Sequence, residues 1–538
     1  CKIATKMSRI TLLLSLSLFC ESTTAASDKL RRNDNVGYTA EALADEILDM
    51  PGLNYDPGFR QFSGYLDIPN SEKHIFYWYT ESQRDPETDP VAFWTNGGPG
   101  CSGLYGFGTE MGPYHFHANG TVTPNPYTWN KIASMLYVEQ PAGVGFSYSG
   151  NEDDYNTGDE QAALDNYEVI KAFFRKFPER KTNDFYLTSE SYGGHYIPQL
   201  SLTILREDVD NEINFKGFAV GNAYVEPTSN NIAMYALYYQ RGLVSKSLYD
   251  DWLMFNCSTP EGYHGDNDHT ILCLDIEGFM LLKAGYYKIN PYALGYPVCV
   301  ENDERFTNRG ITSLHSPQAE ALLTMLNPNL HEHNILRAHY EPCAESYLTT
   351  YLNRADVQEA IHANTELNRP WEVCNYGINL PWPLEDRYEV QMQYYVELLH
   401  GEYNLNMLVF SGDDDSVCAT TGTQAWIYNL GVDVNADHWW DNWHIDEQLA
   451  GYFVRFNVNP KAGSFRFATV HGAGHEVPAY KPKEAFDLWE RFLTQNWQVE
   501  YPPGSVHEAG NHTDPQTLVE EVLEAKIRLG AEAVSSIV

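Results

Sequence analysis

The fold of this 538-residue chain is decided by residues 184–194, which read Asp-Phe-Tyr-Leu-Thr-Ser-Glu-Ser-Tyr-Gly-Gly. The stretch begins with aromatic and β-branched residues, breaks off at Ser191 and continues in small residues. Such a pattern predicts a buried strand that ends in a sharp turn before a helix. We expect the turn to hold the hydroxyl of Ser191 clear of the backbone.

This turn resembles the nucleophile elbow of enzymes with the α/β-hydrolase fold, which usually reads Gly-x-Ser-x-Gly. Ser189 replaces the first glycine here, so the pattern needs support from elsewhere in the chain. In that fold the catalytic residues follow the order serine, acid, histidine. An acid should therefore follow a late strand, and a histidine should follow one more strand.

Both later blocks are present downstream of the serine. An apolar strand pattern at residues 405–410 precedes the acidic run 413–415. A second strand pattern at residues 465–470 precedes His471 and His475. The required order is met, and each candidate falls near a strand end, where a side chain projects over the sheet edge.

A further block, residues 91–103, is a short apolar strand that opens into a loop with four glycines. Backbone N–H groups in such a loop approach a substrate closely, because glycine has no side chain. A developing oxyanion needs preorganised donors, one of them from the residue after the nucleophile. We therefore predict an oxyanion hole formed by the N–H groups of Gly98 and Tyr192.

With these blocks, the chain resembles the serine carboxypeptidases from about residue 40 to about residue 497. The matching stretches are residues 94–102, 190–194, 412–415 and 472–478. The resemblance implies an α/β-hydrolase fold with a central mixed, mostly parallel sheet and an inserted, disulfide-stapled cap. It also implies a serine-type carboxypeptidase that releases C-terminal amino acids through an acyl-enzyme, at acidic pH and without a metal ion or cofactor.

The resemblance implies a catalytic triad of Ser191, Asp415 and His475. His475 would act as general base and then acid, while the carboxylate fixes the histidine tautomer. His471 competes because it lies closer to the strand end, but Gly-Ala-Gly-His-Glu-Val-Pro matches the family at His475. The family pattern Gly-Asp-x-Asp selects Asp415, which leaves Asp413 to bind loop N–H groups and Asp414 in solvent.

An exopeptidase must recognise the free carboxylate of its substrate. The resemblance assigns this task to Asn96, Glu110 and Glu190, assisted by the Gly97 N–H and Trp94. Two glutamates repel a carboxylate unless protons are shared among the carboxyl groups, which raises their pKa values. We therefore expect peptide binding to weaken as the pH rises toward neutral.

Two further residues are candidates for substrate selectivity. Glu476 directly follows the triad histidine, where relatives carry methionine or glutamate, and an acidic side chain there favours Lys or Arg as the leaving residue. Cys418 lies close to the triad acid in the sequence.

Nine cysteines are present, and cleavage of a signal peptide near residue 26 would remove two of them, Cys1 and Cys20. The remaining seven predict three disulfides and one free thiol in an oxidising compartment. Six cysteines allow 15 pairings, and spacing does not choose among them. The resemblance implies the pairs Cys101–Cys374, Cys257–Cys273 and Cys299–Cys343, with Cys418 free.

The chain divides into five expected segments. A short apolar stretch between basic and small residues predicts an N-terminal signal peptide. The irregular pattern from about 224 to 350, with four cysteines, predicts a cap inserted between core strands. The segments are the signal peptide 1–26, the first part of the hydrolase core 27–223, the cap 224–350, the second part of the core 351–497 and the C-terminal tail 498–538.

The formal net charge of −38 disfavours nucleic acids and anionic membranes as partners. We expect peptide substrates with a free C-terminus, and a homodimer is a candidate assembly. Sequons at Asn119, Asn256 and Asn511 are compatible with N-glycosylation. The signal peptide predicts entry into the secretory pathway, toward a vacuole or lysosome-like compartment or the outside of the cell.

Two alternatives stay open. An acyltransferase on the same scaffold would use an alcohol or an amine in place of water, and the set Asn96, Glu110 and Glu190 argues mildly against it. A non-catalytic protective or binding partner would retain the fold, and an intact triad argues against this as the sole role.

Overall fold

The computed structural model describes residues 37–259, 267–300, 340–367, 369–375 and 382–497. The expected signal peptide, the expected tail and the sequon at Asn511 lie outside the described residues.

The described residues form a 12-stranded sheet and a separate two-stranded sheet, β4–β5. The strands are β1 (Gln61–Asp67), β2 (Lys73–Thr80), β3 (Val91–Thr95), β4 (Tyr114–Phe116), β5 (Val122–Pro124), β6 (Ser134–Val138), β7 (Tyr148–Ser149), β8 (Phe185–Glu190), β9 (Phe215–Gly221), β10 (Leu405–Gly412), β11 (Asp433–Val434), β12 (Asp441–Ile445), β13 (Gln448–Asn457) and β14 (Gly463–Val470). The order is β1-β2-β6-β3-β8-β9-β10-β14-β13-β11, with β7 on β2 and β12 on β13.

The α-helices of the described residues surround this sheet in sequence. They are α1 (Ala40–Ala44), α2 (Gly103–Thr109), α3 (Asp159–Lys176), α4 (Gly193–Glu207), α5 (Pro227–Gln240), α6 (Lys246–Met254), α7 (Asn267–Ala284), α8 (Ala344–Leu352), α9 (Ala355–Ala360), α10 (Leu384–Arg387), α11 (Met392–His400), α12 (Thr420–Tyr428), α13 (Val477–Tyr480) and α14 (Pro482–Thr494). Among them, none is both long and apolar enough to cross a membrane.

The centre of the sheet is parallel, from β6 through β3, β8, β9 and β10 to β14. Antiparallel pairs at both edges make the sheet mixed. Both faces of the central strands are covered, as parallel sheets require. On β8, Leu187 packs into one hydrophobic cluster with α3 and α4, while Tyr186 packs into the cluster on the opposite face.

The parallel centre determines where a site can form. The carboxyl ends of β3, β8, β9, β10 and β14 meet at one edge of the sheet, because these strands run in the same direction. Ligands of open α/β sheets bind at such an edge. The glycine loop, the elbow, the acidic run and the histidines predicted from the sequence all follow these strands.

The segment between β9 and β10 is more regular than its sequence pattern suggests. Its described part contains α5, α6, α7 and α8 and a separate hydrophobic cluster that includes Cys257 and Cys273. Apolar residues are spread around α5 and α7 rather than along one stripe, so a helical period does not stand out. The expectation of an irregular segment is therefore wrong, while its assignment as an inserted cap remains a prediction.

Candidate active site

Ser191 stands between the end of β8 and the start of α4, where the elbow pattern predicts it. Its φ of +58° lies in the left-handed region, which few residues other than glycine occupy. The Ser191 N–H donates to Gly221 O at 3.0 Å, and the Tyr224 N–H donates to Ser191 O at 2.8 Å. A Cβ on Gly193 would lie 2.1 Å from Ser189 Oγ, so the turn requires glycine there. The surrounding structure thus holds the serine in a strained conformation, which is typical of functional sites.

His475 and Asp415 form a buried pair at the carboxyl ends of β14 and β10. His475 Nδ1 lies 2.7 Å from Asp415 Oδ2, which leaves Nε2 as the nitrogen for proton transfer. Ser191 and His475 line the same cavity. The described residues show no hydrogen bond between these two side chains, and such a contact often tightens only once substrate is bound.

The carboxylate of Asp415 is held by three further donors. Val417 N–H donates to Oδ1 at 2.7 Å, while Cys418 N–H at 3.0 Å and Asn222 Nδ2 at 2.8 Å donate to Oδ2. These bonds fix the orientation in which the carboxylate meets His475. Asn222 has no role predicted from the sequence, although a polar residue directly after a core strand is the signal that could have identified it.

The expectation that Asp414 is solvated is wrong. Its side chain is buried, forms an ion pair with Arg241 at 2.5 Å and accepts the Gly295 N–H at 2.6 Å. Both partners belong to the segment between β9 and β10, which is distant in sequence and covers the acidic run.

Asp413 and His471 form a second acid–histidine pair. Asp413 accepts the Gly472 N–H at 2.6 Å, as expected, and His471 Nδ1 lies 2.7 Å from its other oxygen. This pair is exposed, whereas the pair of His475 with Asp415 is buried. His471 is not among the described residues that line the cavity.

The glycine loop after β3 lies against the elbow. A Cβ on Gly97 would lie 2.5 Å from Tyr192 N, so only glycine permits this approach. Gly98 has a φ of +115°, which also favours glycine. The two predicted oxyanion donors, Gly98 and Tyr192, thus belong to adjoining backbone segments, and their role remains a prediction.

A cavity of about 1000 Å³ opens at this edge of the sheet. The predicted site residues that line it are Asn96, Gly97, Gly98, Glu110, Glu190, Ser191, His475 and Glu476. Residues predicted separately for catalysis, for the oxyanion and for carboxylate binding therefore meet in one space.

Asn96 bridges the two glutamates. Its Nδ2 donates to Glu110 Oε1 at 3.0 Å and to Glu190 Oε1 at 2.8 Å. Its Oδ1 accepts Trp94 Nε1 at 2.8 Å and the Gly106 N–H at 3.0 Å, which determines the amide atom that faces the carboxyl groups. Trp94 does not line the described cavity, so it acts by orienting Asn96.

Both bridged glutamates hold their protons more tightly than usual. Burial, followed by the charge of Glu476, raises the pKa of Glu110 to about 8. Burial, followed by the charge of Glu110, raises the pKa of Glu190 well above its ordinary value. Glu110 Oε2 is buried without a hydrogen-bond partner. Protonated carboxyl groups donate to a substrate carboxylate, whereas ionised ones repel it.

The same glutamates influence His475. Burial lowers the pKa of His475, but the charge and hydrogen bond of Asp415, followed by the charges of Glu476 and Glu110, raise it to about 9. The part that the glutamates contribute disappears when they take up protons. Protonation of these carboxyl groups therefore favours the neutral imidazole that a general base requires.

Glu476 and Cys418 occupy different positions. Glu476 lines the cavity, and burial raises the pKa of its carboxyl group. Cys418 is free and buried, and it is not among the described residues that line the cavity. Atoms of Asp415, Cys418 and His475 lie within 4.8 Å of one another, but Asp415 Oδ2 already accepts three hydrogen bonds. This favours a packing role for Cys418 over metal binding, and its part in selectivity remains a prediction.

The described residues contain three disulfides, and these are the pairs that the resemblance implies. They join Cys101 to Cys374, Cys257 to Cys273 and Cys299 to Cys343. The sequon residues Asn119 and Asn256 are exposed, which is compatible with glycosylation.

A model of the serine carboxypeptidase family matches residues 51–495. Serine carboxypeptidase-like 26 of Arabidopsis thaliana is 36% identical over 460 residues, which cover 84% of this chain and 93% of that protein. The lysosomal protective protein of Mus musculus is 35% identical over 470 residues, which cover 84% of this chain and 94% of that protein. The solved structure of Kex1(deltaP), a prohormone-processing carboxypeptidase from Saccharomyces cerevisiae, has a TM-score of 0.64 at 18% identity and covers 86% of this chain and 98% of that one.

These similarities agree with the architecture at hand. The chain has the α/β-hydrolase fold of the serine carboxypeptidases, with a mixed central sheet and disulfides. The family match spans both halves of the sheet and all strands that carry the cavity residues. The chain therefore belongs to the serine carboxypeptidase family.

Proposed function

We propose that the protein is a serine-type carboxypeptidase that releases single residues from the C-terminus of peptides. The observation that carries this proposal is one cavity lined by Ser191 and His475 and also by Asn96, Glu110 and Glu190. The first two side chains supply acyl-transfer chemistry. The amide and the two carboxyl groups supply a site for a free carboxylate, which an endopeptidase does not need.

In the proposed reaction, Ser191 Oγ attacks the last peptide carbonyl and His475 takes up its proton. Asp415 stabilises the resulting imidazolium. The N–H groups of Gly98 and Tyr192 stabilise the oxyanion, and His475 then protonates the leaving amino group. Water, activated by the same histidine, hydrolyses the acyl-enzyme and regenerates the serine.

Recognition of the carboxylate depends on protons. Asn96 uses both amide hydrogens on Glu110 and Glu190, so the donors to a substrate carboxylate are the protonated carboxyl groups and the Gly97 N–H. The raised pKa values of these glutamates support an acidic working range.

The same chemistry suits an acidic, oxidising compartment. Three disulfides are typical of the secretory pathway. The 35% identical relative is named a lysosomal protective protein. We propose a vacuole or lysosome-like compartment, or secretion, as the destination.

The test is release of the C-terminal residue from an N-blocked dipeptide at about pH 5, with and without a serine-directed organofluorophosphate. We expect inhibitor-sensitive release, and we expect Ser191→Ala to lower kcat about 10⁴-fold or more. Transfer of the acyl group to an added alcohol without net hydrolysis would indicate an acyltransferase. Absence of any turnover would contradict both enzymatic functions.

A further inference from the structure

A buried polar cluster lies next to the elbow but outside the cavity. Asp159, the first residue of α3, and His195, in α4, are 4% and 0% exposed. His195 Nδ1 lies 2.8 Å from Asp159 Oδ2. The other oxygen, Oδ1, accepts the Tyr192 hydroxyl at 3.0 Å and Trp382 Nε1 at 2.9 Å. None of these four residues is among the described residues that line the cavity.

Tyr192 connects this cluster to the nucleophile. Its ring stacks on the ring of His195, with centroids 4.2 Å apart and planes inclined by 17°. Tyr224 also stacks on His195, at 5.7 Å and 10°, and its N–H donates to Ser191 O. Burial and then the charge of Asp159 raise the pKa of Tyr192 far above its ordinary value, so the hydroxyl keeps the proton that it donates.

A second connection reaches the glycine loop. The hydroxyl of Tyr196 accepts the Gly100 N–H at 3.3 Å. The Tyr196 ring meets Tyr192 edge-on at 5.2 Å and Trp382 at 5.7 Å. The cluster therefore contacts both backbone segments that carry the proposed oxyanion donors, the elbow with Tyr192 and the loop with Gly98.

We infer that Asp159 and His195 are positioning residues that hold the N–H groups of Tyr192 and Gly98 in the geometry that an oxyanion requires. This inference rests on the proposed hydrolysis at Ser191. Oxyanion donors stabilise a transition state only when they point to the place where charge develops, and a small misplacement costs much of the rate.

Stability alone does not account for this pair. His195 Nε2 is buried and has no hydrogen-bond partner in the structure. An unpaired buried polar atom costs free energy, and a buried ion pair is often no more stable than apolar side chains of similar volume. The pair therefore fits a role in positioning better than a role in packing.

The test replaces Asp159 by asparagine, which keeps the volume but presents an amide NH₂ to groups that donate. For the blocked dipeptide, we expect Asp159→Asn to lower kcat about 10- to 100-fold and to change KM less than about 3-fold, because the oxyanion forms only in the transition state. A peptide aldehyde, whose adduct with the serine carries the same oxygen, should lose affinity by a similar factor. Binding of the free dipeptide product should not change.

The matched control is Asp165→Asn in the same helix. Asp165 is buried and pairs with Lys73 Nζ at 2.6 Å. This variant should lose stability and keep the wild-type kcat. An Asp159→Asn kcat equal to that of Asp165→Asn, or a loss that falls on KM, would overturn the inference, whereas an inactive wild type would overturn the proposed function instead.

If Asp159→Asn does not fold, Tyr192→Phe removes one oxygen and leaves the ring in place. We expect a several-fold lower kcat at an unchanged KM from the loss of the hydrogen bond to Asp159. An unchanged kcat for this folded variant would overturn the inference.

Discussion

At the scale of single residues, the site depends on carboxyl groups that keep their protons. No Lys or Arg is among the described residues that line the cavity, so no cation there attracts a substrate carboxylate. Glu110 and Glu190 share the amide of Asn96 and have raised pKa values. Their protons take the part that a cation plays in other carboxylate sites.

Replacing Glu110 with glutamine should flatten the pH dependence of peptide binding. In the wild type, Glu110 ionises as the pH rises through about 8, and its charge then repels the substrate carboxylate. We expect KM for a peptide to rise about 10-fold or more across this range, and to rise less in Glu110→Gln. Steady-state kinetics with an ester that lacks the carboxylate supply the control, with a nearly constant KM. A wild-type peptide KM that stays flat would contradict this account.

Glu476 offers a test of selectivity. Glu476→Met keeps a similar volume and removes the carboxyl group from the cavity. We expect the ratio of kcat/KM for peptides ending in Lys over peptides ending in Leu to fall about 10-fold. The value for the Leu peptide should change little, which controls for general damage. An unchanged ratio would remove Glu476 from the selectivity determinants.

The site residues differ in how far the sequence could predict them. Ser191 and His475 were accessible, because local patterns and chain order identify a strand end and the residue that follows it. Asn222 and the buried state of Asp414 were not, because their partners lie about 120 to 190 residues away. Contacts of that kind follow from the pairing of β9 with β10 and from the segment that covers the acidic run.

At the scale of elements, the strands were more predictable than their arrangement. Apolar runs identify β8, β10 and β14, since parallel central strands are buried on both faces. The order β3-β8-β9-β10-β14 joins strands across hundreds of residues, which no local pattern contains. The helices α5 and α7 lack an apolar stripe, so they were missed.

The disulfide Cys101–Cys374 anchors the glycine loop to another element. Beside it, the Ser102 N–H donates to Val373 O at 2.7 Å, and the Asn375 N–H donates to Gly100 O at 3.0 Å. Replacing both cysteines with alanine should cost about 2–5 kcal/mol of unfolding free energy. It should also lower kcat, because the loop that carries a proposed oxyanion donor loses a covalent anchor.

The control for this prediction is the double replacement of Cys257 and Cys273 with alanine. This disulfide lies in the separate cluster between β9 and β10. Its loss should lower the unfolding free energy and leave kcat near the wild-type value. Chemical denaturation and steady-state kinetics on both variants distinguish the two effects. Equal losses of kcat would show that the glycine loop has no special dependence on its disulfide.

At the scale of the whole molecule, ionisation of acidic groups opposes folding as the pH rises. The net charge is −38, and several carboxyl groups are buried. Burial raises the pKa of Glu139 to about 7, although its carboxylate accepts Ser102 Oγ at 2.5 Å, Trp371 Nε1 at 2.6 Å and the Phe146 N–H at 2.7 Å. Glu139 and Glu110 thus bind protons in the folded protein at a pH where the unfolded chain has released them.

The protein should therefore be more stable at about pH 5 than at about pH 8. Both glutamates have folded-state pKa values, about 7 and about 8, above the ordinary value of 4.5. The folded state then binds more protons than the unfolded chain between these values, so stability falls as the pH rises through that window, by on the order of a few kcal/mol. Urea denaturation at the two pH values measures this difference. Repulsion among surface charges acts in the same direction, but about 0.5 M salt screens it and leaves the buried groups unaffected. A difference that vanishes in salt, or stability that increases toward pH 8, would contradict the buried-carboxyl account.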